Sequence, residues 1–355
     1  MEATMAAMAH NYTFLSNTPA APPPLDVIPN FVDPYSKGYL SIMTVSICIV
    51  VSSIAVWAKL YTKFVVSKTH GWEDYTILLG WALFMCMVAT AVPMKYEGIG
   101  IHEWNLSLWR VIRIGFWMNV AEVLYATSVC IVKISIVLQI LKIFFPGRRT
   151  PLFFLLWGIM IFNILLYISI VIMEIFQCTP REKIWNPLVE GACVNVEASF
   201  IFTASANLIS DLVLLLVPVY LLLQLNMSLK RKIGVGAIFA SGIFACVSSL
   251  MRLIYSIQLL STVDYTWVML PLGLWCIAEV TSGILASCLP SIPRLFQHIR
   301  GKPNTAGNAP YTPNGRNTFS GRRPKRSKDP NTFASIDRMD ESRSGKVSSD
   351  WIPLK

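Results

Sequence analysis

Seven apolar stretches of 20 to 28 residues occupy the chain, at 39–58, 75–94, 114–140, 151–173, 198–225, 233–260 and 266–289. About 20 helical residues cross a hydrocarbon layer of roughly 30 Å, whereas a spanning strand needs about ten with alternating polarity. None of the stretches alternates, so the predicted fold class is an all-α membrane protein, a seven-transmembrane helix bundle. Only 14% of the chain is charged, against about 25% in soluble domains. A soluble globular class is thereby excluded.

The basic residues set the expected orientation. The loops joining spans 1–2, 3–4 and 5–6 carry Lys59, Lys63, Lys68, Lys142, Arg148, Arg149, Lys230, Arg231 and Lys232, and thirteen more Lys and Arg follow residue 290. The alternate side holds six: Lys37, Lys95, Arg110, Arg113, Arg181 and Lys183. Because Lys and Arg concentrate in cytoplasmic loops, the N-terminus is expected outside and the C-terminus in the cytosol. The net charge of +10 then reflects topology, and the expected partner is a lipid bilayer, of the plasma membrane or an endomembrane, with no nucleic acid. Residues 1–38 read as a Pro-rich extracellular tail, 39–295 as the membrane domain, and 296–355 as a disordered basic cytosolic tail, poor in apolar residues. That tail, with the basic run Arg322–Arg326 before Ser327, offers a cytosolic signalling partner, a lipid contact or plain solvation. The first 30 residues lack the basic and apolar regions of a signal peptide, leaving span 1 to direct insertion.

Four spans carry charge: Glu122 and Lys133 in span 3, Asp211 in span 5, Arg252 in span 6 and Glu279 in span 7. Each costs roughly 2.5–3.5 kcal/mol in hydrocarbon, so a shared polar core is expected. At 100° per residue, Glu122 and Lys133 fall within about 20° of one another. Asn207 with Asp211, and Trp275 with Glu279, are i,i+4 pairs and share a face. Depth at about 1.5 Å per residue suggests an outer pair, Glu122 with Arg252, Glu279 being the other partner open to Arg252. It also suggests a mid-membrane acidic pair, Asp211 with Glu279, and an Asn207–Asp211 node meeting span 6 or 7. Lys133 is expected to stand apart, snorkelling toward the cytosol. The candidate ligand-binding core is thus Glu122, Lys133, Asn207, Asp211, Arg252, Trp275 and Glu279. Asp211 or Glu279 would be the proton donor in any catalysis, and structural ion pairing is the plain alternative.

Cys178 and Cys193 share the loop between spans 4 and 5, while the other six cysteines lie within spans. Two cysteines in an oxidising outer loop most simply form a disulfide, and the loop has no histidine to favour zinc. Asn11-Tyr-Thr and Asn105-Leu-Ser are outward glycosylation sequons. All four histidines lie outside the spans, which argues against haem and against an intramembrane metal. Span 7 has no lysine, so no retinal Schiff base is expected, and no other cofactor is implied. Gly98-Ile-Gly100 reads as a structural turn inside a surface loop at 95–113. Glu73 and Asp74 suit the positive end of the span 2 helix, and Trp72 suits an interface.

The segments GWEDYTILLGW (71–81), YEGIGIH (96–102), KISIVLQILKIF (133–144), CTPREKIW (178–185) with GAC (191–193), NLISDLVLLLVPVYLLLQLNMSLKRK (207–232) and DYTWVMLPLGLWCIAEVTSGILASCLP (264–290) together resemble the fungal rhodopsin-like integral membrane family. That family includes satratoxin-cluster membrane proteins and the cores of infection-linked receptors. The resemblance implies seven helices, the Cys178–Cys193 disulfide, and importance for Lys133, Asn207, Asp211, Arg252 and Glu279. Two departures are Glu73 where the family usually has Asp, and a stretch ahead of span 1 without cysteines.

Two functions compete. A receptor-like protein would bind a lipophilic small molecule between spans 3, 5, 6 and 7. It lacks the Asp-Arg-Tyr and Asn-Pro-x-x-Tyr signatures of common G-protein-coupled receptors, since span 3 ends in LQILKIF and span 7 in SCLPSIP. A membrane-embedded protein of a secondary-metabolite pathway would instead cyclise or isomerise a lipophilic intermediate. Transport is a weaker third reading, because no inverted repeat is visible.

Overall fold

The computed structural model describes residues 14–300 apart from 26, 146–149, 187 and 224–228, with the backbone alone described at 196–197, 218, 221–223, 229–238 and 297. Asn11 and the tail from 301 onward lie outside the described residues.

Among the described residues, seven helices are long and apolar enough to cross a membrane. Span 1 is Gly38–Tyr61, continued by a π-turn over Thr62–Val66. Span 2 is Trp72–Ala89 followed by Ala91–Glu97, span 3 Leu108–Phe144, span 4 Pro151–Ile175, span 5 Val196–Leu223, span 6 Leu229–Leu260 and span 7 Tyr265–Cys288. Large apolar side chains such as Ile54, Phe162 and Ile209 face outward, whereas Ser52, Ser128, Ser135, Ser248 and Ser249 are fully buried. This is the arrangement expected in lipid, where small polar residues let helices approach and hydrogen-bond. Val132 of span 3 sits between two glycines: a Cβ built on Gly80 of span 2 or Gly283 of span 7 would lie 3.0 or 2.8 Å from its methyl groups. Spans 2, 3 and 7 therefore pack closely around it.

Local chemistry sets the ends. The Asp74 carboxylate accepts the Gly71 N–H at 3.1 Å, capping span 2. Pro151 occupies the first position of span 4, where its missing N–H is no loss. Gly98, at φ +104°, ends Ala91–Glu97 in the left-handed conformation that glycine adopts without strain. The loop between spans 4 and 5 is a small hairpin, Cys178–Thr179 against Ala192–Cys193, closed by the Cys178–Cys193 disulfide. Trp185 in this hairpin packs on Gly115 and Phe116 at the start of span 3.

Three expectations change. Residues 108–113 belong to the span 3 helix and not to a surface loop. Residues 14–37 do not hang free: Ser36 bridges to Ile101 and Pro19 to Ser107, and the Ala20 N–H donates to the Leu106 carbonyl. The chain after span 7 begins with a further helix, Ile292–Ile299, whose Ile292, Leu295, Phe296 and Ile299 recur at helical spacing. Order therefore extends past residue 296.

Candidate functional site

The charged spans do meet, and Asn207 of span 5 is where they meet. Lys133 of span 3 pairs with Asp211 at 2.8 Å and donates to Asn207 Oδ1 at 2.9 Å and Ser210 Oγ at 3.0 Å. The Tyr167 hydroxyl of span 4 also donates to Asn207 Oδ1, and Ser210 to Asn163 Oδ1. Asn207 Nδ2 faces Glu279 Oε1 at 2.6 Å, Ser249 Oγ at 3.2 Å and Asp211 Oδ2 at 3.4 Å. Ser249 of span 6 donates to Asp211. Tyr125 of span 3 donates to Glu279 at 2.7 Å. Arg252 completes the set, its Nε 3.4 Å from Glu279 Oε2 and its guanidinium over the Tyr125 ring at 5.1 Å. In a low-dielectric interior such pairing is what makes buried charge tolerable, and Arg252 Nε and Glu279 Oε2 meet as an ion pair without a hydrogen bond.

The pairing differs from the expected one. Arg252 takes Glu279, the second of its two open partners, and Glu122 is not its ion-pair partner. Asp211 and Glu279 are bridged by Asn207, yet each has a cation of its own. Lys133 does not stand apart: it is buried and points into the bundle. Its helix continues to Phe144, eleven residues or about 16 Å further at 1.5 Å per residue, too far for snorkelling. Trp275 is half-buried and lies outside both the network and the cavity wall.

Beside the network lies a cavity of about 100 Å³. Its wall is largely apolar, with Met87, Met94, Met118, Phe200, Met269 and Leu272, and its polar face holds Tyr125, Tyr167, Asn207 and Arg252. Glu122 and Glu174 also line it, their carboxyl groups side by side. Glu174, one residue past the charge-free stretch of span 4, escaped the sequence reading. Asp211 and Glu279 are not part of this wall. Among the described residues no group of three or more His, Cys, Asp or Glu is placed to hold a metal ion.

At the hairpin end of the bundle a latch joins residues 100–105 to the start of span 7. His102 Nδ1 lies 2.5 Å from Asp264 Oδ2, and the ring stacks between Trp104 and Trp267. The Glu103 N–H donates to Asp264 Oδ1 at 3.0 Å, and Glu103 Oε2 accepts the Tyr265 N–H at 2.9 Å. Burial, reinforced by the neighbouring Asp264 carboxylate, pushes the Glu103 carboxyl up to about 7. Gly100, at φ +80°, lets the turn approach so closely that a Cβ would lie 2.6 Å from Leu270. Ile99 and Leu270 are themselves cavity residues, so the latch adjoins the cavity. Asn105 is half-buried, its Oδ1 accepting the Asn30 N–H at 2.9 Å.

A second polar cluster, absent from the sequence reading, occupies the opposite end. Lys59 is 0% exposed and donates to Gln139 Oε1, Ser287 Oγ and the Ser287 carbonyl at 2.9, 3.0 and 3.1 Å. Asp74 lies 3.8 Å from it. Glu73 bonds Lys142 and pairs with Lys63 at 3.5 Å. The acids that open span 2 therefore tie spans 1, 2, 3 and 7 together, beyond any dipole effect. The signal was legible: Ser52, Ala55, Val56 and Lys59 recur at i, i+3, i+4 and i+7, which puts Lys59 on the buried face of span 1.

Among the described residues, seven helices long and apolar enough to cross a membrane enclose a buried polar core, which defines a polytopic helical membrane protein. Residues 58–298 match the model of the fungal rhodopsin domain, and the chain belongs to that family. It is 35% identical over 243 residues to a SAT4 family membrane protein of Emericella nidulans, covering 68% of this chain and 58% of the relative. It is 29% identical over 307 residues to fugralins biosynthesis cluster protein 2 of Gibberella zeae, covering 83% of this chain and 76% of the relative. Satratoxin biosynthesis SC1 cluster protein 4 of Stachybotrys chartarum is 24% identical over 168 residues, 47% of this chain and 60% of that protein. The chain thus spans less than two thirds of the length of two of these relatives. No solved structure matches significantly.

Proposed function

We propose that this protein is receptor-like, binding a small apolar or amphipathic molecule in the cavity and reading its presence through the polar core. The observation that carries this is shared membership. Arg252, Asn207, Tyr125 and Tyr167 line the cavity and also belong to the network joining spans 3 to 7, so an occupant that contacts them biases the packing of five helices at once. The Met-rich wall suits an adaptable apolar body. The relatives whose names refer to biosynthesis clusters make a secondary metabolite the natural ligand class. In this reading the N-terminus and the Cys178–Cys193 hairpin face outward and the basic tail faces the cytosol.

The test is native mass spectrometry of protein extracted from its host membrane. A small molecule should co-purify with the wild type and be lost from Ala121→Phe, which fills the cavity. Retention of the same species by the filled variant would overturn the assignment.

The second reading, a pathway protein that cyclises or isomerises a lipophilic intermediate, is favoured by the relatives' names and by the Glu122–Glu174 pair on the cavity wall. Proton donation would then fall to those two residues, since Asp211 and Glu279 are held by Lys133 and Arg252. Metabolite profiles of a host carrying Glu122→Gln with Glu174→Gln separate the readings. An accumulating unconverted precursor supports catalysis; unchanged precursors with a lost transcriptional response support the receptor.

A further inference from the structure

Among the described side chains of the spans, every carboxyl group but two has a cation within ion-pair distance. Asp211 has Lys133 at 2.8 Å, Glu279 has Arg252 at 3.4 Å, Glu97 has Arg113 at 3.0 Å, Glu73 has Lys63 at 3.5 Å and Asp74 has Lys59 at 3.8 Å. The exceptions are Glu122 and Glu174, and both lie on the wall of the central cavity. Their helices aim them there. Glu122 follows Met118 by four residues and precedes Tyr125 by three, and Glu174 follows Tyr167 by seven and Ile170 by four; all of these line the same cavity. Glu174 is 6% exposed, and its carboxyl group meets that of Glu122, with no donor from any other described side chain. Asn119 bonds only the Glu174 backbone carbonyl, at 3.2 Å. Arg252 also lines the cavity and acts on both acids through space, but its ion pair is with Glu279. Asp211, Glu279, Glu122 and Glu174 therefore stand against Lys133 and Arg252, and the two unmatched acids are the two that face the cavity.

Resting on the reading of this cavity as a binding site, we infer that its ligand is a small amine, an ammonium group donating to Glu122 and Glu174 from an apolar body. The ammonium brings both things the pair lacks, positive charge and several N–H donors. With that cation between them, the two acids no longer face each other as like charges in a medium of low dielectric. A hydroxyl would supply a donor without the charge. A carboxylate would have to enter beside two acids to reach Arg252, whose charge Glu279 already matches. The volume sets the size of the body. An apolar cavity of about 150 Å³ holds benzene, so about 100 Å³ walled by Met118, Phe200 and Met269 takes one small ring or a short alkyl chain.

The test uses the full chain in detergent and three labelled probes of one shape, benzylamine, benzyl alcohol and benzoate, with binding measured by equilibrium dialysis. The wild type should bind benzylamine about tenfold or more tightly than either of the others, the effect of a hydrogen bond between charged groups. This comparison changes only the ligand, so folding is not in question. Glu122→Gln with Glu174→Gln keeps the shape of the wall and removes its charge. The double variant should lose the preference for benzylamine, bind benzyl alcohol as before, and melt no lower than the wild type, since it removes unpaired acids from the interior. Benzyl alcohol or benzoate binding as tightly as benzylamine, no saturable benzylamine binding, or a preference that survives in the double variant would each overturn the inference. Ala121→Phe tests the cavity apart from the amine and should displace every bound probe. Probes displaced by Ala121→Phe without a preference for benzylamine sink the amine and leave the binding site; probes indifferent to Ala121→Phe sink both.

Discussion

Lys133 on span 3 and Asp211 on span 5 meet at 2.8 Å inside the bundle. Neither depends on the other alone, since Lys133 also donates to Asn207 and Ser210, and Asp211 accepts from Ser249. Removing one partner leaves an uncompensated buried charge. Lys133→Met should therefore destabilise the protein by about 3–5 kcal/mol. The double variant Lys133→Met with Asp211→Leu should recover most of that loss, because replacing both charges removes the orphan. Thermal melting of the two variants in one detergent checks this; a double variant no better than the single would show that the pair's hydrogen-bonded neighbours, and not its charges, carry the effect.

The Lys59 cluster gives a sharper contrast between buried and exposed charge. Lys59→Met leaves the buried Asp74 carboxylate without its nearest cation and removes the donor shared by Gln139 and Ser287, and should cost several kcal/mol, on the order of the buried-pair losses above. Arg113 pairs with Glu97 at 3.0 Å, but half of its side chain is exposed, and Arg113→Met should cost less than about 1 kcal/mol. Equal melting shifts for the two variants would contradict the burial argument.

These two clusters also explain what could be read from the chain directly. Spans were legible because hydrocarbon demands long apolar runs, and the charges within them were legible because each stands out against such a run. Pairing was not, because it depends on helix rotation and on where each helix ends. Counting depth from residue 140 placed Lys133 near an edge, while the helix runs on to Phe144. Lys59 was counted with the loop charges because its stretch of apolar residues stops at 58, although the helix and its buried face do not. Glu174 was missed for the mirror reason, lying one residue beyond an uncharged run. Asn163 and Tyr167, which complete the Asn207 node from span 4, carry no charge and so gave no signal. The Cys178–Cys193 disulfide was legible because the other cysteines lie in the spans.

That disulfide closes a hairpin with a sequence separation of 15 residues. Loop-closure entropy assigns such a crosslink about 3 kcal/mol. Replacing both cysteines with serine should lower the melting temperature accordingly and free Trp185 from its place on Phe116, where the rings lie 5.2 Å apart. Melting and tryptophan emission of the double variant, compared with the wild type under non-reducing conditions, measure both effects. Unchanged emission would mean that the hairpin is held by packing alone.

The latch between Glu103 and span 7 should make stability depend on pH in an unusual direction. Glu103 titrates near 7 in the folded protein against an ordinary value of 4.5. Between those values the folded state binds more protons than the unfolded state, so stability falls as pH rises. The loss begins above about pH 4.5, is complete a little above 7, and amounts to about 3 kcal/mol at 1.36 kcal/mol per pKa unit. Burial drives the effect, and the Asp264 carboxylate facing Glu103 adds to it by like-charge repulsion. Acid conditions therefore favour the bonded latch. Glu103→Gln keeps an acceptor for the Tyr265 N–H and removes the titration. Its melting temperature should stay level from pH 5 to 8 where the wild type declines. A parallel decline in both proteins would place the pH dependence elsewhere, and would leave the latch as a structural staple only.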